Sequence, residues 1–95
     1  MLDKTRYLNF SPSDGFQLYV NGLIDRLNDI SPSDSSMNSA IEQIDGRFMC
    51  KLEINSRTGS FHARSESNDA KKAVEEARRR VLRMLVKWRH ERVFA

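Results

Sequence analysis

A single cysteine, Cys50, in 95 residues rules out an internal disulfide and leaves no cysteine pair for a structural zinc site. It agrees with a reducing compartment. No apolar run approaches the roughly 20 residues a bilayer crossing needs. The start, MLDKTRYLNF, also lacks the basic head and hydrophobic stretch of a secretory signal, so a cytoplasmic protein is expected. There is no glycine-rich phosphate loop and no Walker lysine. The two histidines, His62 and His90, have neither a nucleophile nor an orienting partner at a telling spacing. Glu42, Asp45 and Glu53 gather near a predicted hairpin without a metal-ligand pattern. These absences argue against an enzyme and imply no cofactor, no metal and no small-molecule substrate.

With 39% hydrophobic and 31% charged residues, the chain keeps enough apolar side chains to fold around a small core. Its length predicts one domain over 1–95. The net charge of +3 hides an asymmetry: residues 71–92 hold nine Lys or Arg against three Glu, while the rest of the chain holds seven basic against ten acidic residues. Opposite fields on two parts of one small molecule predict an oriented encounter with a polyanion.

Ser-Pro-Ser-Asp occurs at 11–14 and again at 31–34. After the first copy, Phe16, Tyr19, Val20, Leu23, Ile24, Leu27 and Ile30 recur at helical spacing. Ser11 is the expected cap, Pro12 the first helical residue and Asp14 a capping-box acid. The second copy has no periodic run behind it and reads as the helix end and a loop. Residues 47–55 alternate strictly, with Phe48, Cys50, Leu52 and Ile54 on one side, which predicts a half-buried strand. Asp45-Gly46 before it is a two-residue hairpin turn, which implies a strand near 38–44. There Ile41 and Ile44 cannot both face the core of a regular strand, so the pattern allows a bulge, an edge position or a helical turn. A turn at Thr58-Gly59 leads to a further strand over 60–66, with Phe61, Ala63 and Ser65 inward. Tyr7 and Phe10 suggest a short strand within 4–10.

The last element is a long helix capped by Asn68. Ala70, Val74, Ala77, Val81, Met84 or Leu85, and Trp88 form its apolar stripe. The expected fold class is α+β: β-α-β-β-β-α, a four-stranded, mostly antiparallel sheet with two helices packed on one face.

Arg78, Arg79, Arg80, Arg83, Lys87, Arg89 and Arg92 interleave with that stripe. A solvated face, neutralised by pairs such as Glu75 with Arg79 and Glu76 with Arg80, is the ordinary fate of such a run. Three acids among nine cations leave most of the charge uncancelled. A membrane surface is disfavoured, since the sheet already claims the apolar stripe. RNA bound through its phosphates, with little base reading, matches better.

The run Ser60-Phe-His-Ala-Arg-Ser-Glu-Ser-Asn-Asp-Ala-Lys-Lys-Ala-Val, taken with the order of elements, resembles the ribosome hibernation-promoting factor family, also called ribosome-associated inhibitors or sigma modulation proteins. In the family's pattern a final strand of alternating hydrophobic, alanine and small residues leads through an aspartate into a long basic helix. Phe61, Ala63, Ser65, Asp69, Ala73 and Val74 occupy those places, and the likeness runs from about Tyr7 to Arg92. The resemblance implies a short-form factor that binds the small ribosomal subunit and its RNA, in the channel used by messenger and transfer RNA, and inhibits translation under stress. By position it implies RNA contacts at Arg79, Arg80, Arg83, Lys87 and Arg89 of the second helix and at Arg26 of the first. The first helix otherwise carries Asp14, Asp25 and Asp29, where the family's pattern is richer in lysine.

Two alternatives share this order of elements. The double-stranded RNA-binding domain is similar in its α-β-β-β-α order and in a Lys-Lys opening the last helix, as at Lys71 and Lys72. It is usually alanine-rich where this helix has three arginines, and it lacks the extra first strand. A protein-interaction or regulatory module would instead use Met49, Lys51, His62 and Arg64 on the uncovered sheet face.

Overall fold

A computed structural model describes residues 5–94, the side chains of 92–94 excepted. The elements run β1 (Arg6–Leu8), α1 (Asp14–Ile30), β2 (Ser36–Ile44), β3 (Arg47–Ser56), β4 (Gly59–Ser67) and α2 (Ala70–Phe94). The expected strand in 4–10 is the three-residue β1; Lys4 lies outside the described residues.

α1 starts two residues later than expected. Ser13, in extended conformation, accepts the Phe16 N–H at 3.1 Å, so it and not Ser11 is the cap. Pro12 stays outside the helix, and Asp14 takes the first helical position, where the positive end of the dipole favours an acid. At the other end the Ser31 N–H donates to the Asn28 carbonyl and its hydroxyl to the Leu27 carbonyl at 2.6 Å. Pro32 follows and cannot continue a helix.

β2 is a regular strand in unbroken register with β3, from Ser36 opposite Asn55 to Ile44 opposite Arg47. Met37, Ser39 and Ile41 face inward, and Ile44, on the other parity, is exposed. Ser39 is what blurs the apolar alternation. It is buried, and its hydroxyl shares a 2.7 Å hydrogen bond with Thr5 Oγ1, which offsets the cost of enclosing a polar group. Asp45 and Gly46 both take positive φ, 49° and 76°, as a primed two-residue hairpin requires. The next hairpin turns on Arg57 and Thr58, one residue earlier than expected, and Gly59 already belongs to β4.

α2 is capped by Asp69 and not Asn68. Its Oδ1 accepts the Lys71 N–H at 2.9 Å, and its carbonyl takes the Ala73 N–H at 3.1 Å. The Ser67 hydroxyl accepts the Asp69 N–H and so orients the cap.

The strand order is β1-β2-β3-β4, with the last two pairings antiparallel. β1 pairs parallel to β2, so the sheet is mixed where a mostly antiparallel one was expected. The cause is α1, which carries the chain back along the sheet before β2 begins and forces a crossover in place of a hairpin. Both helices bury their stripes in one core. Val20, Leu23, Ile24 and Leu27 of α1 meet Ile41, Leu52, Ile54 and Phe61 of the sheet and Val74, Val81 and Leu85 of α2. Each such large side chain contributes about 1.5–3 kcal/mol by leaving water. Ala73 and Ala77 let α2 approach closely, and the Ser65 hydroxyl donates to the Ala73 carbonyl. Phe61 and Trp88 meet edge to face at 6.0 Å, extending the α2 seam to Trp88.

Candidate nucleic-acid interface

Leu85 is fully buried and Met84 is 41% exposed, which settles the choice the sequence left between them and fixes how α2 is rotated on the sheet. Helical spacing then sorts the remaining residues onto a flank over β4, an outward side, and a flank toward α1. Arg80, Arg83 and Lys87, at spacings of three and four, share the β4-side and outward face. Together with Met84 they line a shallow hollow of 280 Å³. Arg80 is anchored: it donates to the backbone carbonyl of Arg64 at 2.6 Å and lies 3.5 Å from Glu76. Arg83 and Lys87 are exposed and hold no ion pair among the described residues.

Arg79 pairs with Glu76 at 2.9 Å. The expected Glu75–Arg79 pair does not form, because Glu75 is taken by α1: the Tyr19 hydroxyl donates to it at 3.2 Å, and Lys71 sits 5.2 Å above the Tyr19 ring. Burial and then the Glu75 carboxylate push the Tyr19 hydroxyl above its usual pKa, so it remains a donor into more alkaline solution than an exposed tyrosine would. Exposed pairs such as Glu76–Arg79 are worth at most about 1 kcal/mol and yield easily to a phosphate.

This contact also shows which flanks of the helices face one another. Arg26 follows Tyr19 by seven residues and Arg89 follows Lys71 by eighteen, so each stays on the flank of its helix that the Tyr19–Glu75–Lys71 cluster turns toward the other. The six residues proposed from the sequence therefore divide. Arg80, Arg83 and Lys87 form one strip, Arg79 lies beside it in an ion pair, Arg89 lies about half a turn round α2 from the strip, and Arg26 is exposed on α1. The outward surface of α1 is acidic, with Asp14, Asp25 and Asp29 exposed. The expected Glu76–Arg80 pair does form, whereas the Tyr19–Glu75 and Arg80–Arg64 contacts could not be found from the sequence, because each joins residues of different elements.

Cys50 is enclosed by the core, and burial pushes its thiol up to about 12, so it is no nucleophile. Among the described residues no group of three His, Cys, Asp or Glu is placed to hold a metal ion, and no helix is long and apolar enough to cross a membrane.

No protein-family model and no curated protein matches the sequence. Solved structures do match its fold. The N-terminal domain of Protein Y from Thermus thermophilus superposes with a TM-score of 0.76 at 16% identity, covering 93% of this chain and 99% of that one. A ribosomal subunit interface protein from Coxiella burnetii superposes with a TM-score of 0.72 at 14% identity, covering 92% of this chain and 98% of that one. The resemblance read from residues 60–74 thus holds at the level of the fold, over nearly the whole chain.

Proposed function

We propose that this protein associates with the ribosome through the small subunit, lays the Arg80–Arg83–Lys87 strip of α2 against ribosomal RNA, and lowers translation while bound. It acts by occupancy, as a cytoplasmic binding protein and not an enzyme. The observation that carries this reading is the strip itself: cations on one exposed face of a rigid helix, two of them without an ion-pair partner among the described residues, while the helix's apolar seam is already committed to the sheet. Each phosphate they neutralise releases condensed counterions, and a helix held by its core loses little entropy when it docks. The fold is shared with a protein whose name places it at a ribosomal subunit interface, which supports the choice of polyanion. Arg79, Arg89 and Arg26 are secondary contacts, since Arg79 is paired and the other two lie away from the strip.

Co-sedimentation with purified small subunits across a salt titration tests this. Binding should weaken steeply with salt, and Arg83→Glu with Lys87→Glu should weaken it at least tenfold while the far-ultraviolet circular dichroism stays that of the parent. A double variant that sediments with small subunits as tightly as the parent would reject the strip. Binding that ignores salt would reject phosphate recognition altogether.

A further inference from the structure

The strand registers place basic residues in a row across the sheet face that carries no helix. Arg6 is opposite Ala40, Ala40 opposite Lys51, and Lys51 opposite Arg64, so all four share one transverse line with Ala40 as its gap. Three strand spacings of roughly 4.8 Å put about 14 Å between the backbones of Arg6 and Arg64. All three cations are exposed. Because Ala40 is small, a hollow of 440 Å³ opens between Arg6 and Lys51, and a second of 380 Å³ lies between Lys51 and Arg64 beside His62.

This face also carries acids, and what they do decides the matter. Glu42 accepts from the Asn9 amide at 3.2 Å, Glu53 from the Asn55 amide at 3.1 Å, and Glu66 lies 3.9 Å from Arg47. Each carboxylate thus has a partner outside the row, and although Glu53 also borders both hollows, Arg6, Lys51 and Arg64 hold no ion pair among the described residues. Lys51 directly opposite Arg64 is a like-charge pair, which costs the sheet stability. A local cost without an evident internal gain is common where a surface serves a function. The row also does not stop at the sheet edge, because Arg80 of α2 donates to the Arg64 carbonyl and carries the positive line round β4 to Arg83 and Lys87.

We propose that the open sheet face is a second RNA contact, in which the phosphodiester backbone crosses the strands over Arg6, Lys51 and Arg64 and passes Arg80 to join the α2 strip. This rests on the RNA reading above and extends it from one helix to a track round the β4 edge. Occupancy is by charge and spacing, so any base sequence serves.

The test compares the parent with Arg6→Gln/Lys51→Gln/Arg64→Gln and with Arg83→Gln/Lys87→Gln, on intact small subunits and on protein-free small-subunit RNA, over a salt series. If the row touches phosphates, the sheet variant loses affinity for both probes, and the slope of log K against log salt becomes shallower by about 2, roughly 0.7 per contact. If the sheet variant matches the parent while the helix variant is weakened, the row is idle and this inference falls, leaving the helix reading intact. If the sheet variant is weakened on subunits but not on protein-free RNA, the face meets a protein and the inference falls again. A parent that binds neither probe overturns the ribosome reading and this one with it. Circular dichroism and a thermal melt of each variant separate lost contact from lost fold.

Discussion

Cys50 shows how one buried side chain links packing to a measurable pH response. Its thiol sits among Leu52, Ile54 and the helix stripes, and its pKa rises from an ordinary 9.0 to about 12 because the thiolate would be poorly solvated there. The folded state therefore holds this proton more tightly than the unfolded chain. Its contribution is complete below pH 9 and is lost as pH climbs toward about 12, at up to about 1.4 kcal/mol per pH unit. Tyr7, also raised by burial, adds a loss of the same sign starting higher, above its ordinary 10.0. Urea denaturation from pH 8 to 11 should show stability falling from about pH 9, and Cys50→Ala should delay the onset at some cost from its cavity. A parent whose stability stays flat to pH 11 would contradict the burial. At this scale the sequence was readable wherever an inward position is apolar, as at Cys50, Leu52 and Ile54. It was unreadable at Ser39, where a hydroxyl occupies a core position because Thr5, 34 residues away, satisfies it.

Element boundaries turn on caps, and both helices offered two. Ser11 and Ser13 have the same chemistry, as nearly do Asn68 and Asp69, so composition alone could not choose. Ser13 wins because its hydroxyl reaches the Phe16 N–H, and Asp69 wins because Ser67 holds it in place while its carboxylate meets Lys71. Asp69→Ala should cost about 1 kcal/mol in a thermal or urea melt, and Asn68→Ala only a few tenths. A larger loss at Asn68 than at Asp69 would move the cap back to the residue first expected. The long stripes, in contrast, were legible from end to end, since a period of 3.6 over many turns averages out single deviations. Which glutamate pairs with Arg79 was not legible. The wheel offers Glu75 and Glu76 alike, and Tyr19, on another helix, removes the first. The Lys51–Arg64 repulsion belongs to this scale as well. Lys51→Gln should raise the melting temperature by a few degrees, corresponding to a cross-strand term of about 0.2–1 kcal/mol. A lower melting temperature would mean that Lys51 has a stabilising partner.

Across the whole molecule the charge is divided by element: α2 and the sheet row are cationic, and the outward face of α1 is acidic through Asp14, Asp25 and Asp29. The order β-α-β-β-β-α could be read from periodicity. The row over β1 to β4 could not, because it exists only once three separate registers are set. If a polyanion is the partner, the acids of α1 oppose its approach, and a variant can remove that opposition without touching the proposed contacts. Asp29 is well suited, since it lies in the last turn of α1, which holds no basic residue and where the negative end of the helix dipole already disfavours an acid. Asp25→Lys with Asp29→Lys should leave the fold slightly more stable and speed association with small subunits several-fold at 50 mM salt, as electrostatic steering predicts. The gain should vanish toward 1 M salt, where charges more than about 3 Å apart are screened. Stopped-flow association over that salt range measures it. A rate that does not respond to the two substitutions would mean that the field of α1 is not felt by the partner, and that binding approaches only from the α2 and β4 side.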